Sequence, residues 1–351
     1  MAHMAMVRRF PALTPPPRPV VSVCIANYNG VGVLEDCIES VLSQDADVSI
    51  EIIVHDDASS DGSVGWIRRR YPGVELLASE QNVGFCIANN RMVAHARGEY
   101  VLLLNNDAAL FRDAVTVLLA DAGGMPTPGI LSLPQFDWET GDLVDRGCLL
   151  DPFYNPVPNL DSARRDVAYV IGACLWIPRK LWHELGGFPE SFGSIAEDMY
   201  LCGAARLRDL PVRCVDGSGY RHRQGASFGG NRADGGLRTT YRRRALSERN
   251  KTWTMLACTP GWVVWPLLAL HLSLLYVEGA VVSALRRDAR LWREVYRPIL
   301  PEVLAPGAKW KALRRRLQAV RRTTQRRWWR ATTWLPRKLA LLLRYGVPEV
   351  R

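Results

Sequence analysis

Polar side chains collect at three points where an apolar, strand-like run ends. The clusters are NYNG at 27–30, HDDASSDG at 55–62 and NND at 105–107. Ligands of open α/β sheets bind beyond the carboxyl ends of the strands. Carboxylates and amides at three such ends therefore predict one shared site for a polar ligand.

A further pair of acids stands at the start of a predicted helix. The stretch AEDMYLCGAARL at 196–207 has the apolar spacing of an amphipathic helix, and it opens with Glu197 and Asp198. A helix N-terminus favours ionised carboxylates, so the pair has a structural as well as a catalytic interpretation. Basic residues follow in RTTYRRRALSERNK at 238–251, either as an anion-binding patch or as a solvated charged face.

The elements that must position these residues alternate between strand and helix. The alternating runs lie at 19–26, 33–42, 49–57, 59–71, 74–78, 85–96 and 99–107. This order predicts an α/β fold with a mostly parallel, Rossmann-like sheet flanked by helices. Residues 168–177 predict a further strand.

The length of 351 residues suits one large domain with an appendage, or two domains. We expect residues 1–19 to be an added tag and a Pro-rich lead-in, without a cleavable signal sequence. Residues 20–250 are expected to form the α/β domain and residues 251–351 a basic, Trp-rich helical region. The Gly-rich stretch at 225–236 has a composition flexible enough for a lid.

The net charge of +10 is distributed unevenly along the chain. Residues 286–351 hold 19 Lys or Arg against 4 Asp or Glu, whereas the first 285 residues carry a net charge of −5. Such a basic tail binds anionic surfaces, either nucleic acid or lipid headgroups. The eight cysteines form no CxxC pair, so we expect reduced core thiols in a cytosolic setting rather than a zinc site.

One apolar segment, WVVWPLLALHLSLLYVEGAVVSAL at 262–285, would be roughly 36 Å long as a helix, enough to cross a bilayer. Pro266, His271 and Glu278 interrupt it. The helices predicted further on mix Trp, Leu and Arg, which suits a lipid headgroup layer. Peripheral membrane binding is the expectation, with a true span or plain packing on the body as the alternatives.

Six stretches, taken in order, resemble the family-2 glycosyltransferases, which have the GT-A fold. They are VSVCIANYNG, IIVHDDASSDGS, NVGFCIANN, GEYVLLLNND, GACLWIPR with LGGFPESF, and AEDMYLCGAARL, between about residues 20 and 225. Within the family the chain looks most like the subgroup that transfers rhamnose or a related sugar during cell-surface glycan assembly. The resemblance implies an inverting, metal-dependent hexosyltransferase.

The resemblance also implies a pocket for a dTDP-, UDP- or GDP-linked sugar donor. Tyr28 stands where the family has a residue against the base, and an aromatic face can stack there. Asp56 matches the acid that reads the base N–H in the family, and Asp57 would help to hold the ribose.

Three further positions complete the donor site that the resemblance implies. Gly84 would let the backbone come close to the donor, and Asn89 or Asn90 would reach the diphosphate. Asn90 and Asn106 are the two amides that we assign to the donor.

In the family, the end of the strand at 99–107 is a metal-binding Asp-x-Asp motif. Here Asn105 replaces the first Asp, and Asp107 keeps its carboxylate. Mg²⁺ binds through one or two carboxylates plus phosphates and water, so Mg²⁺ or Mn²⁺ is the expected cofactor. His222 resembles a family histidine near the metal, and Arg221 and Arg223 beside it would hold the acceptor or a diphosphate.

The acidic pair at 197–198 matches the family's catalytic acids. The resemblance implies that Asp198 deprotonates the acceptor hydroxyl while Glu197 orients the acceptor. In-line displacement of the diphosphate then inverts the anomeric centre through an oxocarbenium-like transition state. The family often has another Asp where this chain has Tyr200.

The leading hypothesis is therefore a glycosyltransferase at the cytoplasmic face of the cell membrane, either peripheral or monotopic. Its acceptor would be polyprenyl-diphosphate-linked or a growing surface glycan, and no nucleic-acid partner is expected. One alternative is a nucleotidyltransferase, which would need a basic phosphate-binding residue where NYNGVG has none. The other is a nucleic-acid-binding protein that uses the basic tail.

Overall fold

The structure is a computed structural model that describes residues 6–223, 232–233, 236–305, 307–345 and 349–350. Most of the stretch that we expect to form a lid, 225–236, lies outside the described residues.

The strands and helices alternate through the first half of the chain, and helices dominate after residue 240. The strands are β1 (Val7–Phe10), β2 (Val21–Asn27), β3 (Ile50–Asp56), β4 (Glu75–Ser79), β5 (Tyr100–Asn105), β6 (Ala108–Leu110), β7 (Ile130–Ser132), β8 (Gln135–Asp137), β9 (Leu143–Asp145), β10 (Cys148–Leu150), β11 (Pro156–Pro158), β12 (Cys174–Pro178), β13 (Val212–Cys214), β14 (Tyr220–His222), β15 (Arg232–Ala233), β16 (Gly236–Thr239) and β17 (Glu349–Val350). The α-helices are α1 (Leu34–Leu42), α2 (Ser63–Arg70), α3 (Phe85–His95), α4 (Ala114–Gly124), α5 (Arg179–Leu185), α6 (Glu197–Leu207), α7 (Tyr241–Cys258), α8 (Val264–Arg286), α9 (Ala289–Leu291), α10 (Ile299–Leu304), α11 (Gly307–Ala319), α12 (Gln325–Trp328) and α13 (Arg337–Tyr345). Short 3₁₀ or π turns cover Glu190–Phe192, Trp292–Tyr296 and Trp329–Ala331.

The central sheet has the strand order β1-β4-β3-β2-β5-β12-β7-β13. Strands β4, β3, β2 and β5 are parallel neighbours, and β12 is antiparallel to β5. Alternate residues of β2 enter different core clusters, Val23 on one face and Cys24 on the other. Burial of both faces explains why the strands are almost continuously apolar. The predicted α/β fold with a mostly parallel sheet is confirmed.

The parallel order brings the three polar clusters together. Asn27 at the end of β2 is opposite Asp56 at the end of β3, and Ala26 is opposite Asn105 at the end of β5. The ends of three strands therefore meet at one edge of the sheet, as the sequence predicts.

A smaller sheet, in the order β6-β14-β8-β9, lies beside this edge. His222 in β14 is opposite Ala108 in β6. Because Ala108 follows Asp107 directly, this pairing brings His222 next to the carboxylate.

The N-terminal lead-in contains a strand that we did not predict. Val7–Phe10 pairs antiparallel with β4 at the edge of the central sheet. Arg9 donates to Glu75 at 2.8 Å, and the guanidinium of Arg68 stacks over the ring of Phe10. These contacts hold part of the segment 1–19 on the domain.

The C-terminal helices share a core with the α/β domain. The ring of Trp253 in α7 stacks on Trp310 in α11 with centroids 4.8 Å apart, and Phe192 packs against both rings. Helix α7 runs across the predicted boundary between residues 250 and 251. The region after residue 250 packs on the α/β domain.

Helix α8 is the one helix of the described residues that is long and apolar enough to cross a membrane. Two of its polar residues, His271 and Glu278, face α7. His271 lies 2.9 Å from Oγ1 of Thr252, and Glu278 accepts a hydrogen bond from Arg244 at 2.6 Å. Exposed apolar residues share its opposite face: Leu270, Leu274, Val277, Val281 and Leu285.

Candidate active site

A cavity of about 870 Å³ opens at the carboxyl edge of the sheet. It lies between the ends of β2 and β5, the start of α3, the start of α6 and the first half of α7. Six of the residues predicted for the site line it: Tyr28, Asp57, Gly84, Asn106, Glu197 and Asp198. These groups come from five separate segments, so the fold creates one site from distant parts of the sequence.

Asp57 lies on the side of this cavity that the strand ends form. Its two carboxylate oxygens accept hydrogen bonds from the backbone N–H groups of Val83 and Gly84, at 2.7 and 2.9 Å. Burial raises the pKa of Asp57, although these hydrogen bonds act in the opposite direction. Tyr28 is 53 % exposed at the mouth of the cavity, so its ring is free to stack on a planar ligand.

Both the backbone conformation at residue 84 and the close approach of Gly193 favour glycine at this position. Its φ of +89° lies in a region that side chains other than glycine rarely adopt. A Cβ atom there would lie 3.1 Å from the carbonyl oxygen of Gly193. The loop before α6 therefore packs directly against the start of α3.

Asp56 is not among the residues that line the cavity, and its contact with the base stays a prediction. The side chain is fully buried. Its oxygens accept hydrogen bonds from the amide of Asn27 at 2.8 Å and from the backbone N–H of Ser59 at 2.9 Å. Asp57, one residue later, points into the cavity, because successive residues of an extended chain point to opposite sides.

The amides at the strand ends connect the strands. Asn106 donates to Oδ1 of Asn27 at 2.9 Å, and Asn27 in turn donates to Asp56. A Cβ atom on Gly30 would lie only 2.1 Å from the amide nitrogen of Asn106, so the loop after β2 packs against it. The chain of amides thus ties β5, β2 and β3 together where the site begins.

Asn90 is held by the backbone of Phe188 and does not line the cavity, and its contact with a diphosphate stays a prediction. Its amide donates to the carbonyl oxygen of Phe188 at 2.9 Å, and its Oδ1 accepts from the Phe188 N–H at 3.0 Å. These two hydrogen bonds join α3 to the segment after α5. Asn89 is buried and donates to Phe85 within the same helix.

Asp107 and His222 form a pair just outside the cavity lining. Oδ1 of Asp107 lies 3.1 Å from Nε2 of His222, and both residues are buried. Nδ1 of His222 lies 3.2 Å from Oε1 of Gln135. A protonated Nε2 donates to Asp107, whereas an Nε2 without its proton would present its lone pair to a cation bound beside the carboxylate.

This pair fits two neighbouring ligands of one divalent cation. In an octahedral site with ligands at 2.0–2.1 Å, adjacent ligand atoms lie about 3 Å apart. Among the described residues, no group of three or more His, Cys, Asp and Glu is placed to hold a metal ion. The remaining ligands would be phosphate oxygens and water, as is usual for Mg²⁺.

The acidic pair lies at the start of α6 on the other side of the cavity. Asp198 accepts hydrogen bonds from the backbone N–H of Gly172 at 2.9 Å and of Met199 at 2.6 Å. Oε2 of Glu197 is buried without a hydrogen-bond partner among the described residues. Burial raises the pKa of both carboxyl groups, and the charge of Asp198 raises that of Glu197 further.

The loop that presents this pair is held in an unusual conformation. Ile195 and Ala196 have φ values of +72° and +66°, which cost free energy for residues with a side chain. The buried amide of Asn250 in α7 donates to the carbonyl oxygens of Ser194 and Ile195, both at 2.8 Å. The sequence does not identify Asn250, because no local pattern shows that a buried amide holds a distant loop through its carbonyl oxygens.

Arg221 and Arg223 do not line the cavity, and their role at an acceptor or a diphosphate stays a prediction. Both flank His222, so the alternation of β14 points them away from it. Arg223 donates to Asp36 at 2.6 Å and stacks on Trp138. The cations that line the cavity come instead from α7: Arg242, Arg243, Arg249 and Lys251. They belong to the basic stretch 238–251, which the sequence analysis considers as an anion-binding patch.

Comparison with known proteins assigns the class. Residues 22–182 match the model of the family described as glycosyl transferase family 2. This region, just under half of the 351-residue chain, is therefore a domain of that family, as the six stretches indicate.

Two curated relatives and one solved structure illustrate the similarity. An uncharacterized protein of Sinorhizobium fredii is 29 % identical over 82 % of this chain, and the match covers 31 % of that protein, so the chain spans about a third of its length. The N-acetylglucosaminyl-diphospho-decaprenol L-rhamnosyltransferase of Mycobacterium tuberculosis is 27 % identical over 52 % of this chain and 69 % of its own length. A mannosyltransferase of Pyrobaculum calidifontis, solved with GDP-Man and Mn²⁺, has a TM-score of 0.47 and 19 % identity, and the match covers 86 % of each chain.

Proposed function

We propose that the protein transfers a sugar, with inversion, from a nucleoside-diphosphate donor to a hydroxyl group of an acceptor. The observation that carries this proposal is the convergence in one cavity of Asp57 and Asn106 on one side with Glu197 and Asp198 on the other. One side presents hydrogen-bond acceptors to a nucleotide, and the other presents carboxylates to a hydroxyl.

The donor half binds the nucleotide through stacking and hydrogen bonding. The ring of Tyr28 stacks on the base, and Asp57 accepts a hydrogen bond from the base or the ribose, because it replaces Asp56 at the cavity wall. Asp107 and His222 would hold Mg²⁺ or Mn²⁺. The chemistry that such an ion supplies is neutralisation of the leaving group.

The acceptor half removes the hydroxyl proton. Asp198 is the general base, since its carboxylate is fixed by two backbone N–H groups while it lines the cavity. Its raised pKa makes it a better proton acceptor than an ordinary aspartate. Glu197 orients the acceptor and, when protonated, can donate a hydrogen bond to it.

We further propose a lipid-linked or growing surface glycan as the acceptor, with rhamnose or a similar sugar transferred at the cytoplasmic face of the membrane. The name of the mycobacterial relative, which includes a decaprenol-linked acceptor, supports this. The exposed apolar face of α8 and the excess of 15 positive charges over residues 286–351 support peripheral membrane binding. Not every cation of this region is available to a membrane, because Arg314 donates to the backbone carbonyls of Leu256 and Thr259.

The experiment is a screen of dTDP-, UDP- and GDP-sugars with Mg²⁺ or Mn²⁺. We expect one class of donor to raise the unfolding temperature and to release its nucleoside diphosphate when an acceptor is present. Absence of stabilisation and of release across all three donor classes would refute sugar transfer. In parallel, cosedimentation should increase with the anionic lipid content of vesicles and decrease with salt; equal binding to neutral vesicles would contradict the membrane proposal.

A further inference from the structure

Among the described residues, the cations that line the cavity all come from helix α7, but they are not equivalent. Nζ of Lys251 lies 2.5 Å from Glu248 and donates to Asn155 at 2.7 Å. Arg249 is 3.6 Å from Glu302 and also donates to the carbonyl oxygen of Ser191. Both charges are thus partly compensated inside the protein.

Arg242 and Arg243 differ from this pair. Within the part of the chain that the structure describes, neither guanidinium has an ion-pair partner within 4 Å. Arg243 is half-buried, and this burial lowers its pKa. Both lie in the first turn of α7, whose N-terminus is capped by Thr240 and carries the positive end of the helix dipole. Two guanidinium groups and a helix N-terminus therefore present positive charge to the cavity.

Arg242 also lines a second, smaller cleft of about 260 Å³, together with Tyr241, Arg290 and Glu294. Tyr241 donates a hydrogen bond to Asp288, which caps α9 directly after α8. The small cleft therefore lies at the end of α8, the helix with the exposed apolar face. Arg242 stands between this helix and the catalytic cavity, where a lipid-bound substrate would enter.

We propose that Arg242 and Arg243 form an anion subsite that binds the phosphate groups of a polyprenyl-diphosphate-linked acceptor. The proposal rests on the proposed function and specifies the acceptor of the same site. A diphosphate could also come from the donor, but the donor's phosphates are expected near Asn106 and Asp107, at the end of β5. The position of Arg242 at both clefts favours the acceptor as the source.

The test uses farnesyl diphosphate as the probe, without donor and with a metal chelator, and measures its dissociation constant by calorimetry. Replacing both arginines (Arg242→Ala with Arg243→Ala) should weaken binding by about tenfold or more, because charge-assisted hydrogen bonds are lost. Farnesol, which lacks the phosphates, should bind the wild type and the variant equally. Arg69→Ala, at an exposed arginine of α2, is the matched control and should leave binding unchanged.

A second arm identifies the source of the diphosphate. UDP, dTDP and GDP are titrated into the same variants in the presence of Mn²⁺, and their affinities should stay unchanged. Equal loss of nucleotide affinity would assign the arginines to the donor and overturn the proposal, as would unchanged binding of farnesyl diphosphate. The exposed Arg242 allows Arg242→Ala to be tested alone if the double variant folds poorly. Because this binding is measured without sugar transfer, failure of the proposed activity would not be mistaken for failure of the subsite.

Discussion

Oδ1 of Asp107 lies 3.1 Å from Nε2 of His222, so the chain just after the central strand β5 contacts the small sheet at this pair of side chains. Neither residue lines the cavity, but both border the strand end that does. If the proposed metal ion binds here, His222 would add a second ligand to the single carboxylate that follows β5.

Asp107→Ala should therefore remove the metal-dependent part of donor binding. We expect donor affinity in Mn²⁺ to fall by about tenfold, since one charged ligand is lost. The measurement is calorimetric titration with and without a chelator. If variant and wild type bind the donor equally well in Mn²⁺, Asp107 is not a metal ligand.

Glu197→Gln should stabilise the protein at neutral and higher pH. The pKa of this buried carboxyl is raised on folding, so its contribution to stability is complete below the unfolded pKa and is lost as pH rises through the folded pKa. A neutral glutamine has no such loss. Denaturant unfolding of variant and wild type across pH should show a stability difference that grows as pH rises. The exposed Glu139→Gln is the control, and a difference that does not depend on pH would contradict the assignment.

Asn250→Ala should slow turnover more than it weakens donor binding. Without its amide, the loop at residues 194–196 can relax from its positive φ values and move Asp198 away from its working position. We expect a stability loss of about 1–3 kcal/mol from the buried carbonyls left unpaired. Steady-state kinetics should show a lower kcat with little change in donor KM. Adding Ala196→Gly should recover part of the stability, because glycine adopts a positive φ without strain.

Lys338→Met should loosen α13 from the body. Nζ of Lys338 lies 2.8 Å from Glu248 in α7 and 2.6 Å from Glu278 in α8. Each glutamate keeps one other cation, so the expected loss of unfolding free energy is about 1–3 kcal/mol, below the cost of fully breaking a buried pair. Denaturant unfolding measures it, with the exposed Lys180→Met as the matched control. Equal stability of the two variants would show that the bridge contributes nothing.

The sequence predicts the convergence of the strand ends because parallel neighbours must end at one edge of the sheet. It does not predict which of two adjacent acids enters the cavity, since Asp56 and Asp57 differ only in the side of the chain from which they project. Once His222 was assigned to the inner side, the alternation of β14 could have shown that Arg221 and Arg223 point to the other side. Asn90 bonds to the backbone of Phe188, 98 residues away, and Asn250 bonds to the backbone of Ile195, 55 residues away. Local sequence patterns do not reveal such distant partners.

The central claim is that Asp198 removes the acceptor proton in a cavity that also holds the donor. The most direct measurement is release of nucleoside diphosphate by Asp198→Asn, with the exposed Asp142→Asn as the matched control. The account predicts that Asp198→Asn loses transfer by about a hundredfold or more while its donor dissociation constant is unchanged. Near-normal transfer by Asp198→Asn would contradict it.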